Sequence, residues 1–203
     1  MPTAREPARR DAGTSRRADA ERNIATIIAT GLDLFSRPGD VSMADVAKAA
    51  GLGRVTVYAH FPTRADLVQA LIQHAVTDAE QAMDSTPIDP GEPADEALTR
   101  LIGASWHVLD RYRRLRTHAV AELDPDHLNR QHDPIRRRLE KIIAAGRDQG
   151  RLRTDLPLDW MVATVFSLIH TAADEIQAGR LAADTAPGPL TITLHAALRA
   201  PTG

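Results

Sequence analysis

The sequence predicts an all-α fold of about nine helices. Apolar residues recur at steps of three and four in one segment after another, as a helix face requires. Alternation of the strand type is limited to Thr191-Ile192-Thr193, which is too short to decide anything. Clusters of Gly and Pro cut the 203 residues into pieces of helical length.

Residues 1–17 read as a disordered basic arm. They hold Arg5, Arg9, Arg10, Arg16 and Arg17 and almost nothing apolar, so burial cannot offset the entropy of ordering them. Ile24, Ile27, Ile28, Gly31, Leu32 and Phe35 then mark the first helix, ended by Arg37-Pro38-Gly39-Asp40. Ser42 caps a second helix whose apolar face is Met43, Val46, Ala47 and Ala50. Gly51-Leu52-Gly53 turns the chain into a third, from Arg54 to about His60. After Phe61-Pro62, Thr63 and Asp66 form a pair like a capping box at the head of a fourth helix, which runs on through Leu67, Leu71, Ala75, Ala79 and Met83.

Ser85 to Pro93 is a loop. Leu98 to Tyr112 is a long helix, Leu115 to Leu123 a shorter one, and Asp124-Pro125-Asp126 a stop. Pro134–Gly150 is rich in basic residues, and Arg136, Arg137 and Arg138 read as its solvated face. Leu156–Gly179 is the most apolar helix, and Ala186-Pro187-Gly188-Pro189 separates it from a last one at Leu190–Leu198.

Composition narrows the function. There are no cysteines, which excludes disulfides, thiolate metal sites and cysteine nucleophiles. No His-Glu-x-x-His, Gly-x-Ser-x-Gly or phosphate-cradling glycine motif occurs. His127 and His132 are five apart, the wrong step for one helical face. His170 and Asp174 have the right step but no third ligand. No metal, no cofactor and no enzymatic activity are therefore expected. No apolar run is long enough for a membrane, and no secretory signal is visible, so a cytoplasmic protein is expected. Residues 1–64 carry a net charge of +3 within a chain of −2 overall, which points to an anionic partner for the first part alone.

The second and third helices have helix-turn-helix proportions. If Met43, Val46, Ala47 and Ala50 face Leu52, Val57 and Phe61, then Arg54, Val55, Thr56, Tyr58, Ala59 and His60 turn outward. An arginine, a hydroxyl, a phenol, an imidazole and small apolar groups on one short helix suit the base edges and phosphates of a major groove.

Over Arg22 to Leu71 the chain resembles the tetracycline-repressor (TetR) family of bacterial transcription regulators. The resemblance rests on Phe35 before a glycine-containing turn, Ser42 opening Met-Ala-Asp-Val-Ala-Lys-Ala-Ala, Gly51-Leu52, and above all Thr56 to Leu67 with its Tyr-x-His-Phe core. It implies that Tyr58 and His60 contact phosphates, Thr56 a phosphate or a thymine methyl, and Arg64 another phosphate. Arg54 and Val55 would face base edges. Gly53, Val55, Met43 and Ala44 depart from residues common in the family, which leaves the operator sequence open.

The expected organisation is thus the arm 1–17, a DNA-binding domain 18–64 and a ligand-binding and dimerisation domain 65–203. Helices apolar on two sides must be buried on both, and the resemblance implies a two-fold interface. Val165, Phe166, Ile169, Leu194 and Leu198 are its candidates. A cavity among the fourth to eighth helices is expected to take a small apolar effector. Its candidate lining is Met83, Leu101, Trp106 and Leu109, with Tyr112, His118, Phe166 and His170. The leading expectation is a homodimer that represses from a palindromic double-stranded DNA operator until the effector releases it. The rivals are an architectural nucleic-acid binder without ligand control and an all-α enzyme with an incidental helix-turn-helix.

Overall fold

The computed structural model describes residues 8–86, 89 and 91–201. Among them nine helices form: α1 Ala8–Phe35, α2 Met43–Ala49, α3 Arg54–His60, α4 Arg64–Asp84, α5 Ala94–Glu122, α6 Pro125–Gln131, α7 Asp133–Asp148, α8 Leu158–Gln177 and α9 Pro187–Leu198. They divide into two compact units, the first ending at Leu71 and the second starting at Ile72. The division falls two turns into α4, not at its start, because Leu67 and Leu71 are buried with the first unit's core.

Residues 1–7 of the expected arm lie outside the described residues. Residues 8–17 are helical, where disorder was expected. The sequence there lacks an apolar stripe and includes Gly13, but its four arginines and two alanines favour helix. Extending a helix already formed costs far less than starting one.

The first unit packs α2 against α1 and α3. Its core is Ile27, Leu32, Phe35, Val46, Val57, Leu67 and Leu71. The Thr63–Asp66 pair forms as expected: the Thr63 backbone N–H donates to Asp66 Oδ2 at 2.9 Å, and the Asp66 N–H donates to Thr63 Oγ1 at 3.1 Å.

In the second unit α5 is one helix, absorbing the separate piece expected at Leu115–Leu123. No Gly or Pro stands between Tyr112 and Glu122, so nothing interrupts it. The stop region yields α6, where Asp124 Oδ1 accepts from the His127 N–H at 2.9 Å and Pro125 takes the first turn. Thr191-Ile192-Thr193 lies inside α9, which starts at Pro187 because a first turn tolerates proline. Helices α5, α7, α8 and α9 pack around Leu98, Leu115, Ile143, Met161, Leu194 and Leu198, all fully buried. The Arg153 N–H donates to Leu198 O at 2.9 Å and the Ala200 N–H to Arg151 O at 3.1 Å, tying the end of α9 to the loop after α7.

The head of α5 has no side-chain cap of its own. Gln149, just past α7, supplies one: its Oε1 accepts from the Ala94 N–H at 3.0 Å. That approach depends on Gly146, where a Cβ would lie 2.6 Å from the Leu152 side chain and 2.7 Å from Ala94 Cβ. Gly146→Ala should therefore push the two helices apart and cost about 1–3 kcal/mol, read as a lower urea midpoint with unchanged slope. An unchanged midpoint would mean that the contact relaxes freely.

Candidate functional site

Ser42 caps α2 in a reciprocal box with Asp45. The Ser42 N–H donates to Asp45 Oδ2 at 2.9 Å, and the Asp45 N–H donates to Ser42 Oγ at 3.2 Å. These hydrogen bonds hold the Asp45 carboxyl below its ordinary pKa. At the other end Gly51 has φ +67°. Its N–H donates to Lys48 O at 3.2 Å and the Leu52 N–H to Ala47 O at 3.0 Å, a Schellman closure that turns the chain sharply into α3.

Val57 is fully buried and Phe61 nearly so, with Met43, Val46 and Ala47 buried on α2. This fixes which way α3 faces. Arg54, Val55, Tyr58 and Ala59 point to solvent, with Val55 84% and Tyr58 48% exposed. Thr56 and His60 are half-buried at the edges of the same face. Gly53 caps α3 without a side-chain bond. The sixth expected contact is engaged within the protein: Arg64 Nε donates to Val41 O at 2.8 Å, and its guanidinium lies 5.2 Å from the Phe35 ring centre. Arg64 thus fastens the α1–α2 loop to the start of α4.

The second unit contains a cavity of about 100 Å³ whose lining includes the expected Met83, Leu101, Leu109, Tyr112, Phe166 and His170. Two expected members are elsewhere. Trp106 is turned away and donates from Nε1 to Ala183 O at 3.0 Å. His118, like Trp106, is absent from the cavity wall. On α5 the wall is a stripe at Leu101, Ser105, Leu109, Tyr112 and Arg116. Trp106 sits about 100° off that stripe and His118 about 200° beyond Arg116.

Four polar members of the wall, Ser105, Arg113, Arg116 and His132, were not among the expected lining. Ser105 is buried and donates to Leu101 O at 2.9 Å. Tyr112 donates to Asp78 Oδ2 at 2.7 Å, and burial together with that carboxylate pushes its pKa up to about 12. Arg113 pairs with Asp110, and Arg116 with Asp174, so Asp174 is not available to His170. His132 also lines the cavity, and its Nδ1–H donates to Leu128 O at 2.8 Å. The rings of His132, Phe166 and His170 form a triangle with centres 5.9, 6.3 and 6.1 Å apart. Burial lowers the pKa of both histidines, that of His170 to about 4, with Arg116 adding to the shift. Arg136, assigned from sequence to a solvated face, lies over the Phe166 ring at 5.5 Å.

The expected interface residues are corrected by burial. Val165, Leu194 and Leu198 are in the chain's own core. Phe166 and Ile169 line the cavity. Outward on α8 and α9 stand Trp160 and Ile192 instead. Among the described residues no group of three or more His, Asp or Glu side chains could hold a metal ion, and no helix is long and apolar enough to cross a membrane.

Residues 27–71, which include the whole helix-turn-helix, match the family of bacterial regulatory proteins named for tetR. The helix-turn-helix segment is thus that of the TetR family of DNA-binding transcriptional regulators. Over 177 residues the chain is 27% identical to the HTH-type transcriptional regulator NfxB of Pseudomonas aeruginosa, covering 84% of this chain and 91% of that protein. EthR of Mycobacterium tuberculosis is 33% identical over 89 residues, 43% of this chain and 41% of that one. The fold recurs in a putative transcriptional regulator from Saccharomonospora viridis solved in complex with choline. That structure has a TM-score of 0.73 at 22% identity, over 88% of this chain and 98% of the other.

Proposed function

We propose that this TetR-family protein reads its operator with the outward face of α3. Arg54 and Val55 would meet base edges, and Thr56, Tyr58 and His60 the flanking phosphates. The observation that carries the reading is the burial of Val57 beside the exposure of Arg54, Val55 and Tyr58, which gives α3 one anchored and one free side. Arg54 can offer two N–H groups to guanine O6 and N7, and Tyr58, one turn on, reaches the backbone.

The test is a gel shift on duplexes that the protein itself enriches from random sequence, with scrambled competitor. Arg54→Ala should cost about 1–3 kcal/mol and relax preference at one base pair. Tyr58→Ala should weaken all sequences alike. If Arg54→Ala keeps both affinity and preference, the base-reading assignment fails. If the parent protein shows no preference over scrambled DNA, the architectural reading is favoured.

The protein would act as a homodimer, since two α3 helices about 34–36 Å apart match one turn of DNA. Trp160, Thr164, Ser167 and Thr171 on α8, with Pro189, Ile192 and Ala196 on α9, are uncharged and follow helical steps. They suit an isologous contact better than the core residues first expected. The cavity would hold an effector whose binding ends repression. α4 runs from Arg64, beside Val41, to Met83 in the cavity wall. Cytoplasmic location follows from a DNA target.

A further inference from the structure

The cavity does not end at its own wall. A second recess of about 380 Å³ opens beside it, bounded by α5, α6, α7 and α8. Arg116, His132, Phe166 and His170 belong to both walls. These four side chains form a collar where the two recesses adjoin, the first here called the inner chamber and the second the outer. The inner chamber is faced mainly by aliphatic groups such as Val76, Ile102 and Leu139. The outer one mixes Val120, Leu123 and Leu128 with Asn129, Ser167 and Arg136. Alone, the inner chamber is small for an organic ligand. With the outer one it reaches the usual range of about 300–1,000 Å³.

Charge decides what suits this shape. Neither wall contains an aspartate or glutamate, while Arg113, Arg116 and Arg136 stand in them. Arg113 and Arg116 each spend an Nη on a carboxylate outside the walls, and each retains a buried Nε–H with no acceptor. A buried donor without an acceptor is costly, and a ligand that supplies one relieves that cost. Arg136 makes no ion pair among the described residues and lies over Phe166. A cationic head in either chamber would meet two guanidinium groups and no carboxylate in the wall itself. The two histidines, held neutral by burial, add a donor and an acceptor without a net charge.

We propose that the effector is an elongated organic carboxylate, with its apolar chain in the inner chamber, the collar around its middle, and its head group at Arg116 and Arg136 in the outer chamber. This rests on reading the cavity as the effector site, and it names the chemical class that the site takes.

Three probes of equal chain length separate the possibilities: octanoate, 1-octanol and octylamine, anionic, neutral and cationic at neutral pH. Each is titrated calorimetrically into the full-length protein. Octanoate should bind about tenfold tighter than octanol, since a charge-assisted hydrogen bond is stronger than a neutral one, and octylamine should bind weakest. Arg136→Gln should bring octanoate down to the level of octanol, and Arg136→Lys should restore most of the difference. Octanol equal to octanoate, octylamine tightest, or no binding by any of the three overturns the proposal. So does an Arg136→Gln protein, folded by circular dichroism, that keeps the octanoate preference. A gel shift in parallel tests the underlying reading separately. Octanoate that binds in the expected order yet leaves the DNA complex intact removes the effector role and keeps the ligand class. Octylamine that dissociates the complex does the reverse.

Discussion

Leu194→Glu should unfold the second unit, not merely separate a dimer. Leu194 is 0% exposed within the single chain, on the side of α9 that packs against α5 and α8. Removing a buried leucine costs about 2–5 kcal/mol. An ionised carboxylate left there without a partner adds about 3–5 kcal/mol. Together these rival a whole domain's stability of about 5–15 kcal/mol. Ile192, two residues earlier, is 72% exposed. Ile192→Glu should change stability by less than about 0.5 kcal/mol and still yield monomers in light scattering. Circular dichroism melts on both variants decide between the two faces. A Leu194→Glu protein that melts normally as a monomer would place that residue on a surface, and a dimeric Ile192→Glu protein would move the interface off α9.

Acid should weaken the second unit at a pH where carboxylates are still ionised. The folded pKa of His170 is about 4, below the ordinary 6.5, because burial and Arg116 penalise its cation. Between these values the unfolded chain holds the proton and the folded one does not. Stability is therefore fully present above pH 6.5, falls as the pH drops through the interval, and has lost this contribution by about pH 4. The shift corresponds to about 3 kcal/mol. His132 is lowered for the same main reason and acts in the same direction. Carboxylates with lowered pKa, such as Asp95 beside Arg151, lose their contribution only as the pH falls below the usual carboxyl value. Urea midpoints at pH 7.5, 5.5 and 4.5 measure the loss. His170→Phe keeps a ring in the collar and should flatten the curve above pH 4.5. If that variant loses as much stability as the parent, the titration belongs to another group.

Much of the DNA-binding unit was legible because its signals are local. Ser42, Gly51 and the Thr63–Asp66 pair act within a few residues of themselves, and the step from Val57 to Phe61 fixes the buried side of a two-turn helix. The second unit is less local. The apolar content of α8 and α9 foretold burial but not the partner, and most of it went into the chain's own core. On α5 the four-residue steps from Leu101 through Ser105 and Leu109 could have led to Arg116. Trp106 and His118 are large or aromatic but stand off that stripe. His132 had no periodic context, since it stands between two helices, and its place beside Phe166 and His170 comes from chain folding alone. The helix over residues 8–17 carries no apolar stripe to announce it, because it extends a helix already formed by the residues that follow.

The two tryptophans have an optical consequence. Trp160 is 62% exposed on α8, so its indole meets water and any dissolved quencher. Trp106 is half-buried, with its N–H fixed to Ala183 in the connection between α8 and α9. Iodide should therefore extinguish the redder part of the emission and spare the bluer part. A partner molecule seated on the outer side of α8 would shield the first indole, whereas loosening of the α8–α9 connection would shift the second. With Trp160→Phe and Trp106→Phe to assign the bands, the native chain reports on its assembly and on the fastening of its last helix without an added dye.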